Sequence, residues 1–157
     1  KDLPTRYTIT HPPATHSNND SEGKPQWITI NQALEQLRKF GKRLPNSIGS
    51  QYKVEYRNFT GHRKTDGNKP SPTILARGNG KGGVCAIPHP KEPRRLTIRE
   101  SAFIQTFPPN FEFFGKTNSM YRQIGNAVPV LYAKKLGRSI IKTANQWMED
   151  DSIDRRE

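Results

Sequence analysis

The chain has 157 residues and a mass of 17.9 kDa, with 31% of residues in the hydrophobic class and a mean hydropathy of -0.90. That is room for one domain with a lean core, because burial must offset the entropy of ordering the chain. Lys and Arg number 26 against 14 Asp and Glu, a net charge of +12, so a polyanion is the first partner to consider; no run approaches the roughly 18 apolar residues of a membrane span.

The first twenty-five residues are rich in Pro, Thr and Asn and read as an extended arm. Thr29-Ile30-Asn31-Gln32 has capping-box spacing, and Ile30, Ala33, Leu34 and Leu37 follow at helical intervals until Gly41 stops them. Tyr52 to Tyr56 alternates as a strand does, and Ser71 to Ala76 is predicted as a second short strand. Thr97-Ile98-Arg99-Glu100 is another capping box, opening a helix to about Phe107, where Pro108-Pro109 ends it. A polar turn, Gly125-Asn126, precedes a helix from about Val128 to Trp147 with Val128, Leu131, Leu136 and Ile140 as its apolar stripe. The stripe docks either on this chain's own sheet or on a domain outside this sequence. Glu149 to Glu157 reads as a frayed acidic tail.

Charge is concentrated in the middle. Residues 61–99 hold nine basic and two acidic side chains, +7 of the total +12, together with six of the twelve glycines. Such a segment is an exposed binding surface or a solvated loop. Its candidate contacts for a polyanion such as a nucleic acid are His62, Arg63, Lys64, Lys69, Arg77 and Lys81. Arg suits base reading, because its planar fork matches guanine O6 and N7; Lys suits phosphate. Cys85 is the single cysteine, which excludes an internal disulfide and a Cys-rich zinc site; no metal site is expected, and a reducing cytoplasm fits.

Two stretches carry a resemblance. Arg94-Arg95-Leu96-Thr97-Ile98-Arg99-Glu100-Ser101-Ala102, continuing through Gln105-Thr106-Phe107-Pro108, resembles the ninth conserved block of DNA cytosine-5 methyltransferases. Tyr121-Arg122-Gln123-Ile124-Gly125-Asn126-Ala127-Val128-Pro129 is similar to the tenth. Lys69 to Ile74 resembles the end of the family's target recognition domain, and Pro25 to Thr29 the segment leading into it. Together these cover most of residues 25–142 in the family's order. The Gly-rich cofactor block, the Pro-Cys nucleophile, the Glu-Asn-Val block and the Gln-x-Arg-x-Arg block are absent. Cys85, in Gly83-Val84-Cys85-Ala86, lacks the preceding proline and is expected to be a small buried apolar residue.

The resemblance implies an α+β chain. A small target-recognition domain of short twisted strands and loops would be joined by a helix that completes the Rossmann-like methyltransferase domain of a missing N-terminal part. Expected boundaries are an arm and entry helix at 1–45, the recognition domain at 46–96, helical blocks at 97–148 and the tail at 149–157. The start at Lys1 rather than Met fits a cleaved, trimmed or incomplete chain. The implied reaction is methyl transfer from S-adenosylmethionine to C5 of cytosine in duplex DNA, of bacterial restriction–modification type. The cytosine must leave the stack, at roughly a few kcal/mol, and DNA contacts must offset this.

The resemblance also assigns roles. Gly125, Asn126, Ala127 and Val128 would sit against S-adenosylmethionine, with Gly125 taking an unusual backbone angle and Asn126 bonding the cofactor or capping the next helix. Thr73 would touch the backbone beside the extruded cytosine, or else be a plain strand Thr, with Ile74 beneath. Arg99, Glu100 and Gln105 are expected to be structural, Arg99 by pairing with a carboxylate that fixes two lobes. No catalytic residue is expected in the chain. It would work with a catalytic large subunit, or as a fragment of one longer chain. The alternative is a stand-alone DNA-binding module or a decayed remnant, which would not need the cofactor block at Gly125–Val128.

Overall fold

A computed structural model describes residues 7–18, 23–41, 43–50, 54, 64–76 and 87–154. Four helices order the described residues: α1 (Ile30–Arg38), α2 (Ile98–Ile104), α3 (Thr117–Asn126) and α4 (Val130–Asp154). No strand forms among the described residues; there are only two isolated bridges, Ser17 with Gln26 and Pro88 with Arg95. Ser71–Ala76, expected as a strand, enters no ladder, and Pro72 removes an N–H that a ladder would use. The strand expected at Tyr52–Tyr56 lies outside the described residues apart from Val54, which is buried.

Both capping boxes form. Thr29 Oγ1 accepts from the Gln32 amide at 3.3 Å and Gln32 Oε1 accepts from the Thr29 amide at 2.8 Å, while Gly41, at φ +90°, ends the run after α1. Two further N–H groups of α1's first turn donate to the Gly67 and Lys69 carbonyls, which fastens the 64–70 turn to that helix end. At α2, Glu100 Oε2 accepts from the Thr97 amide at 2.7 Å and Thr97 Oγ1 from the Glu100 amide at 3.1 Å.

α2 stops three residues before the expected Phe107. Thr106 sits at φ +63°, with its amide on the Phe103 carbonyl and the Phe107 amide on the Ala102 carbonyl, both at 2.9 Å. This is a Schellman end, and a β-branched residue is strained where glycine is the usual occupant.

α3 was not expected. Met120, Tyr121 and Ile124 face inward along it, joining Ile74, Ile98, Ala102 and Phe113 in the main core, and Tyr121 Oη donates to the Leu96 carbonyl at 2.7 Å. Gly125 and Asn126 are therefore the last turn of this helix rather than a turn outside one. A smaller cluster of Ile30, Leu34 and Leu96 joins α1 to the same body.

Arg99, 1% exposed, is the hub beneath α2. Its guanidinium donates to the carbonyls of Pro45 (2.8 Å), Pro108 (3.2 Å) and Phe111, and reaches Asn46 Oδ1 at 3.5 Å. The expected carboxylate partner is replaced by carbonyls: two loop segments, one at Pro45 and one at Pro108 to Phe111, converge on α2, and a planar fork with five donors satisfies them together. Asn46, at φ +57°, adds a pair of bonds to the Phe113 backbone, donating to its carbonyl at 3.0 Å and accepting from its amide at 2.8 Å.

α4 begins two residues later than expected and continues seven residues beyond Trp147, through the acidic segment. No breaker interrupts residues 148–154, so the helix continues where a frayed tail was expected. It packs on none of the other helices. The arm lies along it instead: Tyr7 Oη donates to Asp150 Oδ2 at 2.5 Å, Ser139 Oγ to the Thr10 carbonyl at 2.8 Å, and His11 Nδ1 lies 3.2 Å from Tyr132 Oη. The expected stripe is also redrawn. Leu131 and Ile140 are nine residues apart, which at 100° per residue puts them on opposite sides. Ala133, Gly137, Ile140, Ile141, Ala144 and Met148 share one side, opposite the arm's contacts, and Ile141 and Met148 are 60% and 53% exposed.

Candidate functional site

The α3–α4 junction is held from two directions. On one, Gln105 Nε2 donates to the carbonyls of Ala127 (2.9 Å) and Ile124 (3.3 Å), satisfying the last turn of α3. The Gln105 carbonyl and Thr106 Oγ1 then accept from the first two amides of α4, Val130 at 3.3 Å and Leu131 at 3.0 Å. On the other, Gly125 lies flat against the peptide between Leu75 and Ala76; a Cβ there would come within 2.6 Å of the Leu75 oxygen and closer still to the Leu75 carbonyl carbon and the Ala76 nitrogen. Gly125 has no positive φ. Its lack of a side chain serves close approach of two backbones, not the unusual angle expected from the sequence.

This junction forms one wall of a cleft of about 1010 Å³. Thr73, Ile74 and Leu75 line it together with Gly125, Ala127 and Val128, and so do residues of α1 and the end of α2. Thr73 is exposed and Ile74 buried. Asn126 is exposed, does not line the cleft, and does not occupy the N-cap of α4, which starts at Val130. Lys64 is exposed, and Lys69 is exposed with Nζ 3.9 Å from Asp66 Oδ2. Arg63, Arg77 and Lys81 lie outside the described residues, as do His62 and Cys85.

A second polar cluster sits at the start of α2. Arg94 is bidentate on Glu100 (2.7 and 2.9 Å) and bonds Glu92 at 2.7 Å. Burial raises the Glu100 pKa, but hydrogen bonds from Arg94 and Thr97 outweigh it, and the carboxyl lies below the ordinary range. The buried His89 turns Nδ1 to the amides of Lys91 (3.2 Å) and Glu92 (3.1 Å), so the neutral ring carries its proton on Nε2. Burial and Arg94 hold its pKa below the ordinary imidazole value, against the opposing pull of Glu100 and Glu92. Sequence reasoning missed His89, Arg94, Asn46 and Thr106. Thr106 fell inside the helix expected to run to Phe107, so no local pattern marked its left-handed backbone.

Among the described residues no group of His, Cys, Asp and Glu has metal-holding geometry, and no helix is long and apolar enough to cross a membrane. The C-5 cytosine-specific DNA methylase family matches residues 2–142. The chain belongs to that family. Among its relatives is the type II methyltransferase M.NgoFVII of Neisseria gonorrhoeae, 32% identical over 162 residues, covering 88% of this chain and 42% of that protein. The type II methyltransferase M.PspPI of Psychrobacter is 52% identical over 62 residues, 40% of this chain and 15% of that protein. The DNA (cytosine-5-)-methyltransferase M.ApeKI of Aeropyrum pernix is 38% identical over 93 residues, 59% of this chain and 19% of that protein. The chain thus spans less than half the length of these relatives, whose family implies an S-adenosylmethionine-dependent methyltransferase fold.

Proposed function

We propose that this chain supplies the target-recognition segment and the cofactor-facing turn of a restriction–modification type DNA cytosine-5 methyltransferase. The observation that carries the reading is the shared cleft. Thr73 and Ile74, in the stretch that resembles the end of the family's recognition domain, and Gly125, Ala127 and Val128, in the stretch similar to its last block, line one space. A cofactor and a DNA backbone could meet there.

The residues fit S-adenosylmethionine at the level of shape and polarity. The wall offers an apolar edge at Ala127 and Val128, against which a nucleoside could lie. When bound, the cofactor supplies the activated methyl group. This chain's own residues bind and orient. Thr73 holds the DNA backbone beside the extruded cytosine, Ile74 fixes Thr73 by burial, and Gln105 and Thr106 keep the cofactor turn in place. Asn126 is exposed and does not line the cleft, so its role toward the cofactor would require contact with the catalytic part. Arg63, Lys64, Lys69, Arg77 and Lys81 neutralise phosphate or read guanine. The nucleophile belongs to a catalytic part, a large subunit or an N-terminal region of the same enzyme. The exposed face of α4 docks on it, with bacterial cytoplasm as the site of action.

The purified chain alone is expected to move no tritium from labelled S-adenosylmethionine to DNA, and to do so when joined to the catalytic part of a relative such as M.NgoFVII. It should bind duplex DNA weakly, with a log–log salt slope of about -0.9 per neutralised phosphate. Changing Lys64 and Lys69 to Ala should flatten that slope. Transfer by the chain alone, or a slope untouched by the lysines, would overturn the assignment of roles.

A further inference from the structure

We propose that Gly125 is a positioning residue that locks the recognition segment to the cofactor turn, so that DNA at Thr73 and cofactor at Ala127–Val128 are felt at each other's site. The proposal deepens the methyltransferase reading and rests on it. Three observations support it. The α3 backbone at Gly125 meets the Leu75–Ala76 peptide so closely that even a methyl group has no room, and the atoms it would strike are backbone, which cannot rotate away. Ile74, one residue before that peptide, is buried in the same core as Ile124, one residue before Gly125. The two segments are thus tied at consecutive positions, once by side-chain burial and once by backbone contact. On its far side, the turn after Gly125 is fastened through Gln105 to the Ile124 and Ala127 carbonyls. A shift of Thr73 imposed by DNA therefore reaches Ala127 through rigid contacts rather than through a loop, and linkage makes the effect reciprocal.

Gly137 provides the control, since a Cβ there meets nothing within 4 Å. In the full chain, Gly125→Ala should speed amide exchange in residues 73–76 and 126–131 by about tenfold, the scale of an overpacked contact, and leave α1 unchanged. Gly137→Ala should change neither segment. In the enzyme assembled with a catalytic part, the KM for S-adenosylmethionine at low and at saturating DNA gives a coupling ratio. Gly125→Ala should bring that ratio to about one, where a merely destabilised chain would lose active molecules and keep the ratio. Leu75→Gly keeps the backbone contact free of a clash but frees the segment that makes it, and should act alike, which keeps the test readable if Gly125→Ala does not fold. Exchange confined to α3, or an unchanged ratio in both variants, would overturn the proposal. An assembled wild-type enzyme that transfers no methyl group would sink the methyltransferase reading instead, and the exchange experiment would still decide whether the joint exists.

Discussion

Two regions of this chain treat their backbone and apolar groups in opposite ways. From Leu96 to Ala127, nearly every polar group that enters the interior meets a defined partner. Arg99 gathers three loop carbonyls, Asn46 pairs with Phe113 at both its amide and carbonyl, and Tyr121 reaches Leu96. From Val130 onward, a 25-residue helix touches the rest through its first turn and an extended arm, while Ile140, Ile141 and Met148 face outward. The first region is tied closely into the core, through Ile74 and through Pro45 and Asn46. The second carries an exposed apolar edge, and the arm's contacts lie along the other side of the helix. The contrast separates a segment packed into the core from a helix whose apolar edge stays exposed.

The sharpest way to break that contrast is at Arg99. Replacing it with Leu leaves the carbonyls of Pro45, Pro108 and Phe111 without their donor, and each buried unpaired group is expensive. The expected loss is about 3–5 kcal/mol, read as a lower urea midpoint by circular dichroism. Arg99→Lys should recover little, since a point charge on a flexible stem cannot serve three carbonyls in one plane. A loss below about 1 kcal/mol would mean that the loops converge without its help, and that the first region is no more closely tied than the second.

His89 tests the same region with pH. Its pKa is lowered in the folded chain, so the folded state keeps the ring neutral where the unfolded chain, near the ordinary 6.5, takes up a proton. The stability it contributes is complete above that value and is lost as pH falls through the lower folded pKa, because a protonated Nδ1 no longer accepts from the Lys91 and Glu92 amides. Glu92 and Glu100, also lowered, give way at more acid pH still, below their ordinary 4.5. His89→Asn places an amide oxygen near Nδ1 and should retain neutral-pH stability to within on the order of 1–2 kcal/mol while flattening the first acid step. Thermal melts between pH 7 and pH 5 would reveal it. An equal slope in both proteins would assign that step to another group.

Much of this was local enough to read from sequence. The Thr29 and Thr97 capping boxes each need only four residues, and both helices start where those residues put them. Family membership was legible too, from two long motifs. What escaped was long-range. α3 carries only Met120, Tyr121 and Ile124 as apolar anchors before Gly125-Asn126, a pair that imitates a turn, and it is helical because those three side chains reach a core assembled from distant segments. The reason for Gly125 lies fifty residues upstream, in a backbone no local pattern announces. Arg99 was read as one half of an ion pair, since sequence shows charges and cannot show carbonyls converging. Thr106 was passed over because its left-handed backbone breaks the usual preference of β-branched residues.

The smallest effect on the chain itself should come from the face of α4, and it is the most telling. Ile141 is 60% exposed, on the side away from the arm, so Ile141→Asp removes almost no buried contact. Stability of the isolated chain should change by no more than about 0.5 kcal/mol, the ordinary range for surface substitutions. If the face docks on a catalytic part, the same change buries a carboxylate where an aliphatic side chain would contribute roughly 1.5–3 kcal/mol, and assembly should fail. Tritium transfer by the reassembled enzyme would then fall to background while the isolated variant melts as the wild type does. Lys142→Ala, on a neighbouring strip of the same helix, should spare both. Should Ile141→Asp leave assembly intact, the exposed edge is solvent-facing surface and some other region joins the two parts. If it unfolds the isolated chain, the edge is already occupied, and the division between a packed segment and an exposed helix does not hold.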